Sequence, residues 1–175
     1  PLRGGASFSF RHRALRFIWI FIWQTFGCWT PTPFHPWRRL LLQLFGAKIH
    51  HKAKIYPNVK IWYPPNLKMA EYSCLGPNVN CYSMAKITLD SFVIVSQGAH
   101  LCSGSHDVDD PKFQLFAKPI HLHGHSWIAA EAFVGPGVTV HEGAVLGARG
   151  VAFKDLTAWT IYVGSPAKPL RPRAH

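Results

Sequence analysis

Along the C-terminal half of the chain, large aliphatic residues return every six positions. Ile128, Val134, Val140, Leu146, Ala152 and Ala158 fall on one register, and Ala132, Val138, Ala144 and Gly150 sit four places after its first four members. A helix repeats near 3.6 and a half-buried strand near 2, so neither gives this period. Short strands stacked as a solenoid do, with one large side chain turned inward per strand and a small one near each corner. The same spacing runs earlier through Ile49, Ile55, Ile61, Leu67, Ser73 and Val79, slips, and resumes at Ile87, Val93 and Leu101. Slips mark corners that carry extra residues. The stretch 103–119, SGSHDVDDPKFQLFAKP, is polar, bounded by proline and breaks the period outright. Long excursions from a rigid scaffold are where binding and catalysis concentrate.

Before the repeats the pattern changes. Residues 1–12 read as an irregular basic leader, 13–29 as a nearly all-apolar helix closing near Gly27, and Trp37 to Phe45 as a second short helix closed by Gly46. The Pro-rich TPTPFHP lies between them. The expected organisation is a helical cap over 1–47, a solenoid over 48–163, and a tail over 164–175 too rich in proline for regular structure. The run Phe17 to Trp29 falls short of the roughly 20 apolar residues that span a bilayer, and no small-residue cleavage site follows it. Arg3, Arg11, Arg13 and Arg16 flank this Trp- and Phe-rich helix. It therefore reads both as the cap an open solenoid end requires and as an element for the surface of a membrane.

Charge narrows the partners. Nineteen Lys and Arg against 8 Asp and Glu give a formal charge of +11, concentrated at the two ends of the chain. That balance favours a polyanionic partner: nucleic acid, an anionic membrane or a phosphate-rich cofactor. No zinc-finger, helix-turn-helix or RNA-binding signature accompanies it, so nucleic acid is not expected. Cys28, Cys74, Cys81 and Cys102 lie far apart without a CxxC pair and read as reduced, small core residues.

The coils, the loop LCSGSHDVDDPKF, the turn KPIHLHGHSWIAAEAFVGPGVTV and the tail VGSPAKPLR together resemble the hexapeptide-repeat acyltransferases. The likeness is greatest to the maltose/galactoside O-acetyltransferase branch. Within it, the colanic-acid biosynthesis acetyltransferases share a front of the type WRRLLLQLFGAKI. The resemblance covers nearly the whole chain. It implies a mainly β fold, a left-handed parallel β-helix assembled as a homotrimer, with acetyl-CoA as acyl donor in the cleft between neighbouring prisms and no metal. It also implies a cytoplasmic enzyme, and the basic aromatic front adds the inner face of the membrane and a lipid-linked acceptor.

Acetyl transfer to a hydroxyl requires a base, donors for the oxyanion and a groove that aligns both substrates. His106, in the S-G-S-H-D position of the inserted loop, corresponds to the catalytic histidine of the sugar acetyltransferases. Asp107, Asp109 or a backbone carbonyl would orient it. For the cofactor, the resemblance points to Trp127 as a wall of the thioester site and to Ala130 and Ala148 along the pantetheine arm. Lys154, Lys168 and Arg171 match basic positions near the CoA phosphates. Phe153 departs from the small residue that relatives carry beside the adenine. Asn78, Asn80 and Tyr82 correspond to the acceptor side. His121, His123 and His125 alternate, which invites a metal. Their register turns them outward and lacks the separated layout of the hexapeptide carbonic anhydrases, so a solvated face is expected. An O-acetyltransferase, an N-acyltransferase on an amino sugar, a metal-dependent lyase and a non-catalytic scaffold are thus the readings in play, the first favoured by the intact loop.

Overall fold

A computed structural model describes residues 8–174. From Lys48 the chain winds as a parallel β-solenoid of three faces. Ile49, Met69, Leu89, Leu122 and Val140 stack inward on the first face. Ile55, Leu75, Val95, Ile128, Leu146 and Tyr162 do so on the second. Ile61, Cys81, Leu101, Val134 and Ala152 line the third. All are buried in one continuous core. Each strand of the coils is only two to four residues long and sends one side chain into the core, or two where Leu67, Ile87 and Ile120 open three-residue strands, so the hydrophobic stabilisation resides in the stack.

The corners explain the period. Three positions after an inward residue the backbone turns left-handed, at Asn58, Tyr72, Asn78, Phe92, His125, Glu131 and Arg149 and at Gly98, Gly137 and Gly143. One position later a small or β-branched residue is buried in the corner: Ala53, Val59, Ser73, Val79, Val93, Ala99, Ala132, Val138 and Ala144. Left-handed backbone is costly for bulky residues. Here the parallel hydrogen bonds on both sides enforce it, and three of the strained rings form a column. Tyr72 stacks on Phe92 at 5.1 Å, and Phe92 on His125 at 5.0 Å.

The register differs from the sequence reading in three places. Pro64–Asn66 forms a 3₁₀ turn that adds two residues, so the inward residue after Ile61 is Met69 and not Leu67. Ser73 and Val79 are the buried corner positions that follow Met69 and Leu75. Likewise Leu89 and Val95 are inward, Ile87 opens its strand, and Val93 is a corner. At the far end Leu156, not Ala158, stacks on Val140, and Ala158 is exposed. The tail is also regular. Lys168–Pro172 pairs antiparallel with Thr160–Val163 at the edge of the second face. Proline is tolerated on such an edge, where its missing N–H faces away from the ladder.

The first coil would leave a row of backbone carbonyls unpaired, and two helices cover it. Helix α1 spans Phe10–Ile22, its N-cap Ser9 accepting from the His12 amide. It starts inside the stretch expected to be irregular, and a wider π turn, Trp23–Gly27, continues it. A Cβ on Gly27 would fall within 2.4 Å of the Trp23 ring, which explains the glycine. Helix α2 spans His35–Leu44. Trp19 Nε1 donates to the Ile61 carbonyl at 2.7 Å and Trp23 Nε1 to Val59 at 2.8 Å. Gln43 donates to Ile49 at 2.8 Å and Arg39 to Ala53 at 3.0 Å. Arg38, fully buried, donates through Nε to Ile55 at 2.7 Å and through its other nitrogens to the carbonyls of Thr30, Pro31 and Thr32.

The cap therefore acts through hydrogen bonding as much as through apolar cover. Burial without partners would cost each carbonyl about 1–3 kcal/mol. Replacing Arg38 by Met keeps the volume and removes every donor. Arg38→Met is expected to lower unfolding free energy by about 3 kcal/mol or more, and Trp19→Phe by about 1–2 kcal/mol. Urea denaturation of both variants checks the order.

Candidate functional site

The inserted segment is a β-hairpin anchored at its base. Gly104–His106 pairs antiparallel with Leu115–Ala117. Buried Ser103 Oγ donates to the Tyr82 carbonyl at 2.8 Å and accepts from the Ala85 amide at 2.9 Å, while the Lys118 amide reaches the Ser103 carbonyl. Gly104 passes so close to Met84 that a Cβ would lie 2.3 Å from its sulfur. These contacts tie the hairpin to the preceding coil and fix where His106 emerges.

His106 is half-buried, its ring stacked on Phe113 at 4.5 Å and 10°. Its Nδ1 lies 2.9 Å from the Phe113 carbonyl oxygen. A carbonyl only accepts, so Nδ1 carries the proton, and in the neutral ring Nε2 keeps the free lone pair. Phe113 reaches this position through a left-handed backbone (φ 49°). Of the three groups expected to orient the ring, the backbone carbonyl is the one at Nδ1, and Asp107 faces the turn. Its Oδ1 accepts from the Asp109 amide at 3.1 Å, and Asp110 likewise caps Lys112 at 2.9 Å. Among the described residues no ion pair joins Asp107 or Asp109 to His106. Adjacent strand residues point to opposite sides, so the carboxylates serve the turn and a backbone oxygen holds the imidazole.

On the second face an open groove of about 640 Å³ gathers several expected cofactor residues. Trp127, Ala130, Ala148 and Arg171 line it, together with Ser96, Gln97 and Arg173, which the sequence reading did not single out. Trp127 Nε1 donates to Ser96 Oγ at 2.9 Å, which sets the indole across the groove. Arg173 donates to the carbonyls of His125 and Gly143, binding the tail to two corners. Gly147 in its floor is fixed by the neighbouring strand Thr160–Val163: a Cβ there would lie 2.9 Å from Val163. Lys154 and Lys168 lie outside this lining, Lys154 beyond the third face's last strand and Lys168 at the start of the tail strand. Phe153 rests against Phe133 at 5.6 Å.

The third face carries a second recess, about 390 Å³, between α1 and the strands. Asn80 and Tyr82 line it with Trp19, Ile20, Trp23 and Trp62. Asn78 does not join them; it occupies an exposed left-handed corner. Arg16 lies 4.0 Å over the Trp62 ring. Groove, recess and hairpin lie on different parts of one prism, and no hairpin residue lines either hollow.

Among the described residues three histidines are held below the ordinary value near 6.5, each mainly by burial: His12, His35 and His100. The unfolded chain therefore takes up protons first as pH falls. Stability is fully present above about pH 6.5 and declines as pH drops through the interval between unfolded and folded values. The urea midpoint is expected to be lower at about pH 5.5 than at about pH 7.5, and His100→Asn to reduce the difference.

No family model matches the chain. A colanic acid biosynthesis acetyltransferase named WcaF, from Escherichia coli K12, is 40% identical over 156 residues, covering 89% of this chain and 86% of its own. Among solved structures, the hexapeptide-repeat acetyltransferase VCA0836 of Vibrio cholerae, complexed with acetyl coenzyme A, superposes with a TM-score of 0.85. That match has 22% identity and covers 99% of this chain and 94% of the other. A galactoside acetyltransferase in complex with coenzyme A gives a TM-score of 0.84 at 19% identity, over 97% of this chain and 86% of the other. The fold they share with this chain is the left-handed parallel β-helix.

Proposed function

Because this chain belongs to the hexapeptide-repeat acetyltransferases, we propose that it transfers an acetyl group from acetyl-CoA to a sugar hydroxyl. The acceptor is a unit of an exopolysaccharide or its precursor, in keeping with the name of the 40% identical relative. The observation that carries the reading is the His106 geometry: Nδ1–H held by the Phe113 carbonyl, the ring backed by Phe113, and Nε2 left to accept a proton.

In this mechanism Nε2 of neutral His106 takes the acceptor hydroxyl proton as the oxygen attacks the thioester carbonyl. The tetrahedral intermediate collapses with loss of the CoA thiolate, which receives that proton from the imidazolium. Acetyl-CoA lies along Trp127, Ala130 and Ala148, with Arg171 and the added Arg173 near its phosphates; Lys154 and Lys168 would reach it only from a neighbouring copy. Asn80 and Tyr82 hold the sugar, with Trp62 as a stacking wall. The homotrimer is part of the same proposal: groove and hairpin lie apart in one chain, and adjoining prisms would bring them together. Asp107 shapes the hairpin tip rather than the base.

Thiol release from acetyl-CoA over a panel of sugars and sugar nucleotides tests the reaction. Acceptor-dependent release is expected to fall by roughly 10²-fold or more in His106→Ala and by less than about tenfold in Asp107→Asn. Ala148→Trp is expected to raise KM for acetyl-CoA at least about tenfold. Release unchanged in His106→Ala would remove it from the base role.

No helix among the described residues is long and apolar enough to cross a membrane. Yet α1 leaves Phe10, Phe17 and Phe21 exposed at 77%, 76% and 61%, with Arg11 and Arg13 beside them and Trp29 just beyond. An aromatic face with a basic end suits the interfacial layer of an anionic bilayer, which supports a site of action at the inner face of the membrane and a lipid-linked acceptor. Co-sedimentation with vesicles containing anionic lipid is expected, falling with salt and in a Phe17→Ser/Phe21→Ser double variant. Absence of binding to such vesicles would overturn it.

A further inference from the structure

The first face carries a cluster that acyl transfer leaves unused. Asp90, His121 and His123 turn outward there, with Asp90 directly after Leu89 and the two histidines on either side of Leu122, its register partner. Asp90 Oδ2 lies 2.9 Å from His121 Nε2 and 3.2 Å from His123 Nδ1. One ligand atom from each residue falls within 4.8 Å of the others. Bonds of about 2.0–2.2 Å to a common ion place neighbouring ligand atoms roughly 2.8–3.5 Å apart, from octahedral to tetrahedral. Both oxygen–nitrogen separations already lie in that range, and the third is within 4.8 Å, so side-chain rotation can bring the three atoms round one ion.

In the sequence the histidines read as a solvated face, on their outward register and on the absence of the separated layout of the hexapeptide carbonic anhydrases; Asp90 is not among the candidates there. The hairpin insertion hides it, putting Asp90 thirty-one residues before His121 in the chain and one coil away in space. We propose that Asp90, His121 and His123 bind a divalent transition-metal ion of the zinc class. Two imidazoles at alternate strand positions with one carboxylate form a donor set suited to zinc, cobalt, nickel or copper and poorly suited to calcium or magnesium.

The next coil adds His141, whose ring lies 5.6 Å from that of His123 and nearly parallel to it. Lys68, Lys86 and Lys118 line the adjoining hollow with Asp90 and His121. Their charges oppose the cation, hold its affinity down, and favour an anion or hydroxide in the open coordination position. The site would cross-link the end of Ile87–Leu89, one coil earlier on the same face, to Ile120–Leu122, the strand after the hairpin, closing a loop that contains His106. Its role is to pin the hairpin's return; it takes no part in the proton transfer, and the inference stands independently of the acceptor's identity.

The test uses tag-free full chain, stripped with chelator and titrated with Co²⁺ and then Zn²⁺. One Co²⁺ per chain with visible d–d absorption, displaced by Zn²⁺, is expected. At about a hundredfold excess of Zn²⁺ over its Kd, the melting temperature is expected to rise by roughly 5 °C or more. His121→Gln and His123→Gln are each expected to lose the absorption and the thermal shift while melting, metal-free, close to the parent. His125→Gln, on the neighbouring corner, is expected to keep both. No cobalt absorption in the parent, or equal binding in the His121 and His123 variants, would overturn the site.

Discussion

The open edge of a parallel solenoid is the constraint on which this structure depends. Each coil satisfies its backbone only through the coil above and the coil below, so the first coil would present an edge ready to pair with any other strand. The cap meets this edge carbonyl by carbonyl: Gln43 to Ile49, Arg39 to Ala53, Arg38 to Ile55, Trp23 to Val59 and Trp19 to Ile61. Two indoles and a buried guanidinium are unusual choices for cover alone. They combine large apolar bodies with donors that reach a flat edge, which explains why the front of this chain is both aromatic and basic. At the far end, part of the same problem is solved by the antiparallel tail strand on the second face.

With the stack terminated, the side chains that face outward are held in rows. Rows on the second face build a groove floored by small residues, rows on the third a recess walled by tryptophans, and a corner insertion projects His106. The precision of that histidine comes from the hairpin and not from a neighbouring acid. A carbonyl in a rigid turn fixes the tautomer without adding a charge beside the ring, in keeping with the base role proposed for it.

Much of this was legible along the chain, and the register errors at Leu67, Ser73 and Val79 have one cause. The six-residue period revealed the solenoid, and the break at 103–119 marked the inserted hairpin. The two-residue insertion at Pro64–Asn66 shifts the strand centre by two. The buried corner, four places after that centre, then lands on the old count of six. Ser73 and Val79 thus kept the rhythm while having changed place, and Val93 repeated the effect. Lys168–Pro172 was misread because local propensity says nothing of an edge that needs only some of its amides.

The sequence by itself determined the repeat, the helical front and the exposed loop, because each depends on spacing or on residue type within a few positions. Only the tertiary structure decided which group orients His106, that Asn78 stands apart from Asn80 and Tyr82, that Arg173 joins Arg171, and that Asp90 meets His121 and His123. Those relations join residues a whole coil apart. The rise from one coil to the next is set by backbone hydrogen bonding, and an insertion of any length at a corner leaves that rise unchanged while erasing its trace from the linear chain.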